Sequence, residues 1–388
     1  MFAINKTRSI HSGRLERWLG AERIANLSHA MTDGGGPGKP WYGPPINITD
    51  CPGSVWICRD GDFIGDFDRG FFHSAADSLA DYLKRLWKEA GRPIYMEREP
   101  VLGAGFTSIS YALSRASSGF SQLLNGNIAK TGITGVATAA SSLWTAAGQP
   151  GVGAIGSAAP GGRAPVKSTT GAMLYNNPST GTLHLTGADF SASFINNSLL
   201  LYDRIFDVAK TMNSAATESV TGVPTRYQSS TPATPDFAGG NFLFFEIITT
   251  LAATAHNWTV CQYRDESGND AQTLPTVAGV SGGIASRFDL PVNTWFAPLA
   301  AGDGGIMDLH QLQLSASVAT GTADAVIGHP IGVLMFPVIS ALAPFDWLTN
   351  RNQAPRIFDD ACLALIELPK PTATATTYSG MMYATSAE

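Results

Sequence analysis

Gln311-Leu-Gln-Leu-Ser-Ala-Ser-Val-Ala319 alternates without a break. In an extended chain Leu312, Leu314, Ala316 and Val318 point one way, while Gln313, Ser315 and Ser317 point the other. A period of two is the pattern of a strand with one buried face. Gly321 then opens a turn into two more apolar runs, Ala323–Ile327 and Ile331–Ile339. Upstream the same signals recur. Thr182-Leu-His-Leu-Thr186 alternates, and Asn241-Phe-Leu-Phe-Phe-Glu-Ile-Ile-Thr249 is a short apolar run suited to a sandwich core. Trp258–Tyr263 and Gln272–Val277 flank the turn Asp265-Glu-Ser-Gly-Asn-Asp270. Short strands separated by Gly, Pro and Asn turns favour an antiparallel β-sandwich of jelly-roll type over an alternating α/β fold.

Outside this region the pattern changes, and four segments are expected. Residues 1–102 read as an N-terminal arm and helical module. Ser12 can cap a helix over Arg14–Met31. Ser74 can cap a second, in which Leu79, Tyr82, Leu83, Leu86 and Trp87 share one face before Gly91 and Pro93 stop it. Residues 103–167 are rich in Ala, Gly and Ser, with a weak helix expected within Phe106–Leu124 and an extended linker over Thr145–Lys167. Residues 168–345 are the sandwich. Residues 346–388 hold one strand, Cys362–Leu368, and a Thr/Ala/Ser-rich tail.

Composition bounds the function. Hydrophobic residues make up 44% of the 388, ample for a core, but charged residues only 14%, against about 25% in an ordinary soluble protein. A surface so poor in charge suits one covered by neighbours, because interface cores are depleted of Lys, Glu and Asp. The net charge of −6 argues against direct nucleic-acid binding. The most apolar run, Ile331–Ala343, is broken by Gly332, Pro337 and Ser340 and is too short to span a bilayer, so no membrane partner is expected. Four cysteines do not make a disulfide framework, which fits synthesis in a reducing cytoplasm.

Each motif with catalytic associations has a plainer reading. Gly151-Val-Gly-Ala-Ile-Gly156 matches the dinucleotide fingerprint, but Pro150 precedes it and no strand feeds it; it reads as linker. Gly279-Val-Ser-Gly-Gly283 matches a nucleophile elbow, with His310 and His329 downstream, yet no helix follows and a turn between strands is expected. Asp60, Asp62, Asp66 and Asp68 crowd one loop. They could hold Ca²⁺ or act as paired acids on a sugar, although solvated turn acids bonding Arg59 or Arg69 explain them as well. Cys51, Cys58, Cys261 and Cys362 lack zinc spacing and read as buried free thiols, and the seven histidines form no ligand motif. No catalytic residue, cofactor or metal ligand is expected. Trp41-Tyr-Gly-Pro-Pro45 and Trp56 could stack on rings or pin a loop.

Several stretches carry a resemblance. Leu15-Glu-Arg-Trp-Leu-Gly20, Trp41-Tyr-Gly-Pro-Pro-Ile-Asn47 and Gly61-Asp-Phe-Ile-Gly65 resemble the start of uncharacterised structural proteins of tailed-bacteriophage virions. Leu201-Tyr-Asp-Arg-Ile205, His256-Asn-Trp-Thr-Val260 and Ile327-Gly-His-Pro-Ile331 are similar to β-rich segments of such proteins. The resemblance implies a non-enzymatic virion component of minor capsid, cement or vertex type. It implies packing on itself, for example as a trimer, and on partners such as the major capsid protein. The long spine helix of major capsid proteins is not evident. A major capsid, tail or neck role is the alternative, and a carbohydrate-binding or carbohydrate-cleaving phage protein the second. Trp18, Trp41, Tyr42 and Trp144 are the expected interface anchors, since Trp and Tyr are frequent hot spots, with burial in the core as the alternative for each.

Overall fold

In a computed structural model of the chain, the described residues are 58–59, 62–63, 105–106, 108–232, 234–348 and 354–387. They fall in two units, Met1–Glu99 and Pro100–Glu388. Of the first, the description covers one antiparallel pair, β1 (Cys58–Arg59) and β2 (Asp62–Phe63). The expected helices over 14–31 and near 79–87, and the side chains of Trp18, Trp41, Tyr42 and the Asp60–Asp68 loop, lie outside the described residues.

The second unit is predominantly antiparallel β, as the alternation predicts. Its central sheet runs β10 (Phe242–Thr249), β15 (Thr322–Phe336), β8 (Asn197–Thr211), β18 (Leu363–Glu367), β4 (Ser141–Ser142). The short β6 (Ser157–Ala158) adds in parallel to β8. A second sheet runs β16 (Ala343–Asp346), β7 (Thr182–Ala192), β19 (Thr377–Ala387), β3 (Ser121–Thr131), β5 (Gly148–Gln149), with β17 (Arg356–Ile357) also on β7. A third runs β12 (Gln272–Thr273), β11 (Asn257–Asp265), β14 (Ile306–Leu314), β9 (Glu218–Ser219), with β13 (Val277–Ala278) on β11.

The 15-residue strands β8 and β15 run through two cores. One face packs on the second sheet, where Leu199, Leu201, Leu334, Phe336 and Leu365 meet Leu124, Leu185, Phe190 and Met382. The alternate residues Leu200, Tyr202, Ala364 and Ile366 turn to a larger core that extends to the third sheet, where Phe245 stacks on Trp258 at 3.8 Å. Two sandwiches thus share one long ribbon. Register shifts at Ile327/Gly328 and Pro330/Gly332 interrupt the β8–β15 ladder and bend the ribbon. Pro330 has no N–H to give a ladder, so a bulge is where a paired strand tolerates it.

Three segments differ from the sequence-based expectation. The strand expected at Gln311–Ala319 is β14, which begins at Ile306 and ends at Leu314; Val318 is still buried, but from the irregular stretch between β14 and β15. The region 103–167 is not a free linker. Its helix is confined to α1 (Ile109–Ser117), capped by the Ser108 hydroxyl accepting from the Tyr111 N–H, and β3 follows as a full sheet member. The tail is also structural: β19 lies between β7 and β3, with Tyr378, Met382 and Ala384 in the core.

Candidate functional site

The central sheet carries charge where core is expected. Cross-strand neighbours point to the same face, and the register pairs Glu246 with Asp324 and Gly328 with Arg204. Arg204, Asp207, Glu246 and Asp324 are all fully buried. Arg204 donates from Nε to Asp207 Oδ2 at 2.7 Å and from Nη1 to Glu246 Oε2 at 2.8 Å, and its Nη2 lies 3.6 Å from Asp324. Arg163 reaches in from the 145–167 segment to grip both oxygens of Asp207. The Gly156 N–H donates to Asp324 Oδ2 at 2.7 Å. Trp144 lies across Arg204, 5.0 Å from guanidinium carbon to ring, and its indole N–H bonds the Ala154 carbonyl at 2.6 Å.

This geometry corrects two expectations. Trp144 is 1% exposed and serves as a core lid over the charges, not as an interface anchor. The Gly151–Gly156 run is neither a phosphate cradle nor a loose linker. Gly153 bonds the Trp144 carbonyl, and a methyl group built on it would collide with the indole, so close approach requires glycine there.

The three resemblance stretches of the β region all meet buried polar groups. Leu201–Ile205 contributes Arg204 and Asp203; the latter is gripped by Arg226 at 2.7 Å and accepts the Cys362 N–H. In Ile327–Ile331, His329 stacks on Tyr227 at 3.8 Å and bonds Asn241, and burial pushes its imidazole down to about 4. In His256–Val260, His256 Nε2 and the Trp258 indole both contact Asp289 Oδ2, at 2.8 and 2.9 Å. His256 Nδ1 faces the Thr254 carbonyl. With both ring nitrogens engaged, His256 offers no base to Ser281 of the Gly279–Gly283 run, which forms a turn after β13 as expected. Cys261 and Cys362 are buried free thiols, again as expected, and burial pushes Cys261 up to about 12.

The outer face of the second sheet differs in character. Register places Ser121, Leu123, Ala129 and Thr131 of β3 beside Thr377, Ser379, Met381 and Tyr383 of β19 and Gly187, Asp189 and Ser191 of β7. These side chains are exposed or half-buried. Hydroxyls pair across the strands, Thr131 with Thr377 and Ser191 with Ser379. The single charge in this set, Asp189, accepts the Tyr383 hydroxyl at 2.9 Å. Leu123 and Met381 stand 40% and 38% exposed, and α1, which Arg115 ties to β19 through the Ser386 carbonyl, adds exposed Ile109 and Leu113. Neither strand was expected: β3 starts inside the weak helix expected within Phe106–Leu124, and β19 lies in the Thr/Ala/Ser-rich tail.

Among the described residues, no helix is long and apolar enough to cross a membrane, and no group of three or more His, Cys, Asp or Glu is placed to hold a metal ion. No family model matches the sequence, and no curated protein matches it. Among solved structures, a chain of the crystal structure of infectious bursal disease virus VP2 subviral particle aligns over 79% of this chain and 86% of its own, at 10% identity. The TM-score of that alignment is 0.14, too low to carry an argument about fold or function.

Proposed function

We propose that the protein is a structural component of a tailed-bacteriophage virion, of minor capsid, cement or vertex type, acting by self-association and by packing on neighbouring subunits. The observation that carries this reading is the outer face of β3, β19 and β7. It is a three-strand surface of paired hydroxyls with one carboxylate, bonded by the Tyr383 hydroxyl, and two exposed apolar side chains. Such a face loses little hydration on being covered, because few charges must be stripped of water. Repetition then makes modest single contacts durable across a lattice. The 14% charge content of the whole chain and the resemblance to virion proteins point the same way.

Light scattering on a sizing column at low micromolar concentration tests it. A discrete oligomer or very large particles are expected. Leu123→Lys with Met381→Lys, which place two charges on the outer face, should lower that mass while leaving the melting temperature in place. A monodisperse monomer, unchanged by the lysines, removes self-association through this face.

A further inference from the structure

The buried cluster on the central sheet contains three carboxylates, Asp207, Glu246 and Asp324, against two guanidiniums, Arg163 and Arg204. Ionised throughout, it would hold one uncompensated negative charge in a dry site, which is costly. Asp207 has both oxygens taken by Arg163 and Arg204. Glu246 and Asp324 differ. Each uses one oxygen, Oε2 on Arg204 and Oδ2 on the Gly156 N–H, while Glu246 Oε1 and Asp324 Oδ1 have no hydrogen-bond partner. These two residues are directly paired across β10 and β15, which brings their Cβ atoms to about 5 Å. Also facing the cluster are the Tyr202 hydroxyl, already accepting from Arg204 Nη1, the buried Cys362 thiol and the Arg226–Asp203 pair.

We propose that the Glu246–Asp324 pair holds one proton in the folded protein, carried on Asp324 Oδ1 and donated to Glu246 Oε1, and that its release to water opens the Ala154–Arg163 cover. A shared proton gives both orphaned oxygens a partner and brings the cluster to neutrality. The acid that would carry it is already disposed to do so: burial, opposed by Arg204 and helped by Glu246, pushes the Asp324 carboxyl up to about 7. Water must reach the pair to stabilise the deprotonated form. The 154–163 segment is bonded directly to the cluster's carboxylates, through the Gly156 N–H on Asp324 and Arg163 on Asp207, so a change of charge there acts on it; β6, the Trp144 indole and the backbone bonds of Arg163 with Asp207 and of Pro160 with Thr221 complete its attachment.

The sign follows from linkage. The folded state keeps the proton up to about pH 7, whereas an unfolded Asp releases it near 3.8. The pair's contribution is therefore fully present below about pH 4 and is lost as pH rises through about 7, by up to about tenfold in the folding constant per pH unit. Asp324→Asn, whose amide can donate where the acid did, should fold and lose that slope. Glu246→Gln should do the same from the other side. Amide exchange of residues 154–163, corrected for its intrinsic pH dependence, should accelerate from pH 6 to 8 in the natural protein and stay level in Asp324→Asn. Equal slopes in all three proteins overturn the proposal. Should both variants fail to fold, the Asp324 carboxyl ¹³C resonance of the unmodified protein decides. Titration near neutrality upholds the shared proton, and titration in the ordinary carboxylate range overturns it.

Discussion

At the scale of single residues, small side chains and buried charges carry the structure in ways their one-letter pattern disguises. Gly153→Ala should destabilise by about 1–3 kcal/mol, because the new methyl must displace the fully packed Trp144 ring; urea unfolding at fixed pH measures it. Arg204→Met should cost about 3–5 kcal/mol, since it strands Glu246 in a dry site and leaves Asp207 to Arg163 alone. Restoring part of that loss by adding Glu246→Gln would show that the stranded charge, not the lost packing, is responsible. Neither role was legible beforehand. A buried Arg paired with three acids looks, in sequence, like any polar interruption of a strand. Trp144 looked like an anchor because nothing in a Gly/Ala-rich context announces a core beneath it.

Among elements, those with clean alternation were readable and those whose burial depends on partners were not. The β11 and β12 strands and the turn between them follow from their sequence, and Leu312 and Leu314 of β14 face the core as their period demands. By contrast β8 spans Asn197–Thr211 with Asp203, Arg204, Asp207 and Lys210 all buried. Its charges mask a strand that only cross-strand partners make tolerable. The C-terminal Thr/Ser-rich stretch hid β19 for the opposite reason: hydroxyls that face outward carry no apolar signal. Removing residues 372–388 should abolish cooperative unfolding by circular dichroism, because it takes away the middle strand between β7 and β3. A dispensable tail would leave the transition intact.

Taken as a whole, the molecule should be most stable on the acidic side of neutrality. For His256, burial works against the imidazolium, but the hydrogen bond and charge of Asp289 outweigh it and raise the group above 6.5. That contribution is complete below the unfolded value and is lost as pH rises through the raised one, the same direction as for Asp324. At the acid end, burial of Asp265 is overcome by bonds from Asn269, Ser267 and Gly268, which hold it below 3.8; its contribution is present above that value and lost as pH falls. His329, pushed down to about 4 by burial, runs the other way: its contribution is present above 6.5 and lost as pH falls, which offsets the Asp324 slope between about pH 4 and 6.5. The melting temperature should therefore be level over about pH 4–6.5 and fall on either side, and calorimetry across pH 3–9 checks it. A plateau centred on pH 8 would contradict the balance of buried groups.

The central place of β19 also sets a schedule for synthesis. Ser121 and Thr385, bonded to each other in the finished sheet, are 264 positions apart. At about 5–20 residues per second on the ribosome, β3 waits roughly 13–50 s for its neighbour to be made. Throughout that interval the nascent chain carries a strand with an open edge and an apolar face, Leu124 and Ile128, that its own later residues must cover. A chain built this way depends on being shielded while it is still being translated, long before any question of assembly arises.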